Sequence, residues 1–169
     1  MHLLVVDDET DLRDLLIASV KHNFSEVYQA ADGLQALEII RTKRIDIVFS
    51  DIKMPRMGGL EFLQILRQEN YTMPVLIVTG FADKNNAIHA LRYGAFDLIE
   101  KPFDEATLLR TLRRAIVSRG IEVENDRLIS TILEQERNVE NLKLAETEGL
   151  IAGRKVLETL ARTRKMSTL

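Results

Sequence analysis

The sequence predicts an α/β fold: a five-stranded parallel sheet, doubly wound by helices, followed by a C-terminal helical extension. As far as about residue 118, short β-branched runs alternate with segments of helical period, the pattern of repeated βα units. The first, third and fourth runs are almost wholly apolar, as strands buried on both faces are. From Ile121 onward Glu, Asn, Arg and Lys dominate and Leu and Ile recur at wider intervals, which sets the extension apart.

In chain order, the expected strands are Leu3 to Val6, Glu26 to Gln29, Ile45 to Phe49, Val75 to Val78 and Phe96 to Ile99. Crossover helices are expected between them. Leu12, Leu15, Leu16 and Val20 share one helical face, as do Leu60, Leu63, Ile65 and Leu66, and Ala87, Ile88, Ala90 and Leu91 form a shorter one. Asp32-Gly33, Gly58-Gly59 and Tyr93-Gly94 supply the turns. After Lys101-Pro102-Phe103, Asp104 can cap a helix with Leu108, Leu112, Ala115 and Ile116 on its apolar face. The division expected is a domain over residues 1–118 and a helical linker or dimerisation extension over residues 119–169. With Asn125 at heptad position a, Leu128, Ile132, Val139 and Leu142 fall on a or d, and Gln135 and Glu146 interrupt the seam, giving a short coiled coil. Gly149 and Gly153 are expected to flank a break. One more helix is expected from Arg154 to Arg162, with Val156, Leu157 and Leu160 on a face.

Composition narrows the function classes. The 169 residues suffice for one core plus an appendage, and no segment approaches the roughly 18 uninterrupted apolar residues of a membrane span. The N-terminus shows no secretion signal, so a cytoplasmic location is expected. Without cysteine there are no disulfides, thiolate metal sites or cysteine nucleophiles, and any metal must sit on oxygen or histidine. A net charge of −3 argues against broad electrostatic binding to nucleic acid.

In a parallel α/β sheet, ligands gather at the carboxyl ends of the strands. Those ends here carry Asp7-Asp8, Ser50-Asp51, Thr79-Gly80 and Glu100-Lys101-Pro102. Three clustered carboxylates raise one another's pKa values unless a cation is present. Magnesium, a hard divalent ion that prefers oxygen ligands and keeps several waters, resolves the repulsion. A carboxylate is also a competent nucleophile toward phosphorus, and the metal neutralises charge on the transferring group. Lys101 would add a second cation for the phosphoryl oxygens and Thr79 a hydroxyl donor, while Gly80 would let the backbone approach.

These residues resemble the receiver (CheY-like) domain of two-component response regulators over roughly residues 1–118. The agreeing elements are Asp7-Asp8-Glu9, Asp51-Ile52-Lys53-Met54-Pro55 with Gly58-Gly59, Thr79-Gly80, Gly94-Ala95 and Lys101-Pro102-Phe103, in the expected order. The resemblance implies a flavodoxin-like sheet of strand order 2-1-3-4-5. It implies Asp51 as phosphoacceptor, Asp8 as a direct Mg2+ ligand, Asp7 as a ligand through water, and the backbone carbonyl of Lys53 as a further ligand. Lys101 would contact the phosphoryl group, and the peptide bond before Pro102 would be cis. A sensor histidine kinase would donate the phosphoryl group. The domain would be no enzyme in the ordinary sense, catalysing only its own phosphorylation and autodephosphorylation. Thr79 would move toward the phosphoryl group and bias two conformations through the fourth helix, fifth strand and fifth helix. Three residues before Lys101, where the family usually has Tyr or Phe, this chain has Leu98.

Other readings of the same residues are weaker. A dehalogenase-type phosphatase expects Asp-x-Asp after the first strand, and the chain has Asp7-Asp8-Glu9-Thr10. A flavin binder needs a hydroxyl- and glycine-rich loop there, and none is present. His2, His22 and His89 lack metal-ligand spacing, Lys43-Arg44 and Arg113-Arg114 read as solvated faces, and Met54 and Met57 read as loop packing. For the tail, a homodimer through the helix is preferred to a bare linker, since a marginal helix gains most by burying its seam. The basic positions Arg154, Lys155, Arg162, Arg164 and Lys165 lack any helix-turn-helix context for nucleic acid. The output is expected to be a downstream protein partner or a domain beyond this chain, because no DNA-binding, ATPase or cyclase domain fits into residues 119–169.

Overall fold

The computed structural model describes the backbone of residues 1–80 and 84–166, with the side chains of the same residues apart from 84, 87 and 159–166. Two units are present, Met1–Glu122 and Val123–Leu169.

The first unit contains β1 (His2–Val6), α1 (Thr10–Val20), β2 (Glu26–Ala30), α2 (Gly33–Thr42), β3 (Ile47–Asp51), α3 (Gly59–Gln68), β4 (Val75–Gly80), α4 (Lys84–Arg92), β5 (Asp97–Lys101) and the start of α5 (Glu105–Met166). The five strands form one sheet of order β2-β1-β3-β4-β5, every neighbouring pair parallel. This is the expected flavodoxin-like order.

Alternation along β1 divides the core. Leu4 and Val6 point to a layer completed by Ala36, Leu37, Phe62, Leu63, Leu66 and Ala90 of α2, α3 and α4. Leu3 and Val5 point to the other layer, with Leu16 and Val20 of α1 and Leu108, Leu112 and Ala115 of α5. A strand with helices on both sides cannot expose either face, which is why Leu3 to Val6 of β1 and Ile47 to Phe49 of β3 are apolar without interruption. Capping sets the helix starts. The Asp32 carboxylate accepts from Gln35 N at 3.0 Å to open α2, and the Asp104 carboxylate accepts from Thr107 N at 2.6 Å to open α5.

Several local expectations are corrected. β3 starts at Ile47 rather than Ile45, because the Asp46 side chain accepts from His2 N at 2.8 Å and holds that residue outside the ladder. β5 runs from Asp97 to Lys101, one to two residues later than expected. Leu15 is exposed, and so are Ile88 and Leu91 of α4, where Ala90 is the residue that enters the core. The Ala87 side chain lies outside the described residues. Phe62, absent from the expected α3 face, is fully buried. Met57 is buried and Met54 packs against the same core, as loop packing requires. No break occurs at Gly149 or Gly153: α5 continues to Met166. Each glycine lowers helix propensity by about 1 kcal/mol without removing a backbone donor, so the helix tolerates it where proline would not be tolerated.

The second unit is α5 from Val123 onward. Leu128, Ile132, Val139, Leu142, Val156 and Leu157 are all at least half exposed on it. No described helix is long and apolar enough to cross a membrane.

Candidate functional site

β1 and β3 are adjacent, with Val6 opposite Ser50, so Asp7 and Asp51 emerge side by side at the carboxyl edge of the sheet. β4 lies next, with Asp51 opposite Val78, and β5 after it, with Gly80 opposite Lys101. The register alone therefore gathers the expected residues.

Oxygens of Asp7, Asp8 and Asp51 lie within 4.8 Å of one another. Asp7 and Asp51 are buried and Asp8 is exposed at the mouth. The Lys101 Nζ donates to Asp51 Oδ2 at 3.0 Å and to Asp7 Oδ2 at 3.4 Å. The other oxygens of these carboxylates accept from backbone: Asp51 Oδ1 from Ile52 N at 2.6 Å, and Asp7 Oδ1 from Glu9 N at 2.8 Å. The Lys101–Pro102 peptide is cis.

Electrostatics follow from burial. Desolvation pushes the Asp7 carboxyl above its ordinary value and Asp51 adds repulsion, while the Glu9 amide and Lys101 pull the other way without cancelling the rise. Burial works to lower the Lys101 ammonium, but its bonds and attraction to Asp51 and then Asp7 outweigh that, leaving it raised and charged. Three carboxylates facing one lysine leave excess negative charge. An all-oxygen donor set with one buried, destabilised carboxylate fits a hard divalent cation.

Thr79 is buried at the end of β4, and its hydroxyl donates to the Gly80 carbonyl at 3.4 Å rather than to an acid. A Cβ at Gly80 would meet no atom within 4 Å. Lys53 is exposed in the loop from β3 to α3. The structure thus brings Asp7, Asp8, Asp51 and Lys101 together, with Thr79 buried at the end of the neighbouring strand β4 and Lys53 exposed in the loop after β3.

Sequence reasoning missed three supports. Arg13 Nη1 donates to the Asp7 carbonyl at 2.6 Å, Ser50 Oγ donates to the Asp51 carbonyl at 2.9 Å, and Arg56 pairs with the buried Asp32. Gly59 is needed for close approach, since a Cβ there would stand 1.9 Å from the Asp51 carbonyl oxygen. The Gly58-Gly59 pair was the available signal for that crossing. The arginines left none.

Fold and pocket together define a doubly wound α/β module with an acidic, lysine-bridged binding site at its carboxyl edge. The chain belongs to the response regulator receiver domain family, whose family model matches residues 3–113. It is similar to an NtrX-like response regulator of Rickettsia bellii, 34% identical over 141 residues, which cover 82% of this chain and 30% of that protein. It is likewise 30% identical over 161 residues to the response regulator protein PilR of Pseudomonas aeruginosa, covering 95% of this chain and 34% of that one. Among solved structures, the receiver domain of NtrX from Brucella abortus matches with a TM-score of 0.63 and 36% identity, covering 67% of this chain and 96% of that one. The chain spans about a third of the length of the curated relatives it matches. The family works in two-component systems, where phosphorylation of the receiver controls a partner.

Proposed function

We propose that this chain is a cytoplasmic phosphoacceptor switch in which Asp51 takes a phosphoryl group from a sensor histidine kinase. An Asp51 carboxylate oxygen attacks phosphorus, the bond from phosphorus to the donor imidazole nitrogen breaks, and the electron pair leaves on that nitrogen. The product is an acyl phosphate. Water later attacks the phosphorus, the bond to the Asp51 oxygen breaks, and inorganic phosphate departs, so the chain's catalysis is confined to its own modification.

Asp8 directly, Asp7 through water, Asp51 and the Lys53 carbonyl would hold Mg2+, which when bound supplies charge neutralisation at the transferring group. Lys101 holds the Asp51 carboxylate in place and then pairs with a phosphoryl oxygen. Thr79 turns its hydroxyl from the Gly80 carbonyl to the phosphoryl group. Leu98 packs half-buried against the α2, α3 and α4 layer, and this favours a response carried by Thr79 and α4 without an aromatic toggle.

Residues 1–118 form the receiver and residues 119–169 the output extension, which pairs two copies of the chain through its exposed seam. Readout is to a downstream protein partner, or to an output domain in a longer protein, and neither nucleic acid nor membrane is proposed as a direct target. The observation that carries the reading is the Lys101 ammonium held between Asp51 and Asp7 where three carboxylates meet.

The test is intact mass after incubation with acetyl phosphate, with and without Mg2+. Wild type gains one phosphoryl group only with Mg2+, and Asp51→Asn gains none. Labelling that persists in Asp51→Asn overturns the assignment.

A further inference from the structure

We infer that Arg56 is a positioning residue for the Mg2+ site: paired with Asp32, it holds the loop after β3 in the shape that keeps the Lys53 carbonyl in place. The inference rests on the metal reading proposed above and adds to it a residue pair outside the pocket.

The loop between β3 and α3 starts at the metal site, where Ile52 N donates to Asp51 Oδ1 at 2.6 Å. Lys53 follows one residue later, so a shift of this loop moves its carbonyl relative to the Asp51 carboxylate. The far end of the loop is fastened to the turn between β2 and α2. Met57 O accepts from Gly33 N at 3.0 Å, and the buried Met57 side chain lies so close that a Cβ on Gly33 would stand 2.6 Å from its Cγ. Arg56 adds a charged fastening to the same turn by pairing with Asp32.

Two observations single out Arg56. Its φ is 63°, in the left-handed region that residues with a Cβ rarely enter, and Met57 N donates to Pro55 O at 2.7 Å to close a tight turn around it. Glycine would take that backbone without strain, so an arginine held there points to work done by its side chain. The partner is the second observation. The Asp32 side chain has no solvent exposure; Oδ1 accepts from Gln35 N at 3.0 Å to cap α2, and Oδ2 accepts from Arg56. A carboxylate withdrawn from water needs a partner at each oxygen. One buried group therefore joins the start of α2 to the loop of the metal site, and such coupling runs both ways. If the pair steadies the loop for Mg2+, Mg2+ must steady the pair, and with it the Gln35 amide.

The test uses full-length protein, Mg2+ alone as the probe, and circular dichroism to show that each variant folds. Mg2+ affinity by calorimetry is expected to weaken about tenfold in Arg56→Gly, the low end of the loss when a group orienting a metal ligand is removed. Arg56→Lys keeps a cation for Asp32 and should recover part of it. Asp32→Asn keeps an acceptor for Gln35 N, removes the charge and should match the loss in Arg56→Gly. The double variant should be no weaker than either single one, and additive losses overturn the pair. In wild type Mg2+ should slow hydrogen exchange at the Gln35 amide, and in Arg56→Gly it should not; equal slowing in both overturns the coupling. Phosphoryl uptake from acetyl phosphate should be slow in Arg56→Gly at limiting Mg2+ and normal at saturating Mg2+, and a deficit that persists at saturation overturns a role through the metal. Wild-type affinity in Arg56→Gly overturns this inference and leaves the metal reading intact, whereas a wild type that binds no Mg2+ overturns the metal reading and this inference with it.

Discussion

At the scale of single residues, the pocket holds opposing demands. Asp7 is buried with its carboxyl raised, so protonation favours the fold and ionisation opposes it. The stabilising contribution of the protonated form is complete below the ordinary carboxylate value of 3.8 and is lost as pH rises through the raised value. At neutral pH the ionised group costs stability unless a cation answers it. Asp7→Asn should therefore raise the metal-free melting temperature, by about 2–4 °C for ~1 kcal/mol, while shrinking the further rise that Mg2+ gives. A lower metal-free melting temperature would contradict this. Because protons compete for the raised carboxyl, Mg2+ affinity measured by fluorescence or calorimetry should weaken with falling pH before an ordinary aspartate would begin to titrate. Lys101→Ala removes the cation that spans Asp51 and Asp7. It should slow phosphoryl uptake on the order of a hundredfold in a time course with acetyl phosphate, the magnitude seen for one electrostatic donor. Near-normal uptake would leave Lys101 without a direct role.

At the scale of elements, glycines separate the crowded part of the chain from the open part. Gly59 carries the start of α3 across the end of β3, where any side chain would strike the Asp51 carbonyl. Gly59→Ala should cost at least about 1–3 kcal/mol in urea unfolding. A Cβ at Gly153 would meet nothing within 4 Å, and Gly153→Ala should gain about 1 kcal/mol of helix stability by circular dichroism. The same contrast explains what was legible in the sequence. Strand identity was, because the runs ending at Val6, Phe49 and Val78 are apolar on both faces. The carboxyl-edge residues were, because each follows such a run. The start of β3 was not, because Ile45 looks like strand and only the long-range bond from His2 to Asp46 removes it. The exposure of Leu15, Ile88 and Leu91 was not either: an apolar face in one helix does not reveal how much of it a neighbour covers. Continuity of α5 through Gly149 and Gly153 was equally hidden, because a propensity penalty looks like a stop until the rest of the helix outweighs it.

At the scale of the whole molecule, the two units answer different physical questions. Residues 1–122 bury a core on both sides of the sheet and hold the acidic pocket at its edge. The helix beyond Glu122 has an apolar stripe and no core of its own, so on the proposed pairing it gains stability by burying that stripe against a second copy. Of the supports that sequence reading missed, Arg13 and Ser50 bond to the nearby backbone carbonyls of Asp7 and Asp51 and Arg56 pairs with Asp32 from 24 residues away, and neither a bond to a carbonyl nor a distant ion pair leaves a pattern in the sequence. The central claim is that Asp51 is the residue modified. Its most direct test is borohydride reduction after treatment with acetyl phosphate and Mg2+, which converts an acyl phosphate to a homoserine that peptide sequencing by mass spectrometry can locate. Homoserine at position 51 alone is the predicted result; homoserine at position 7 or 8, or a phosphoryl adduct that resists reduction, would contradict it.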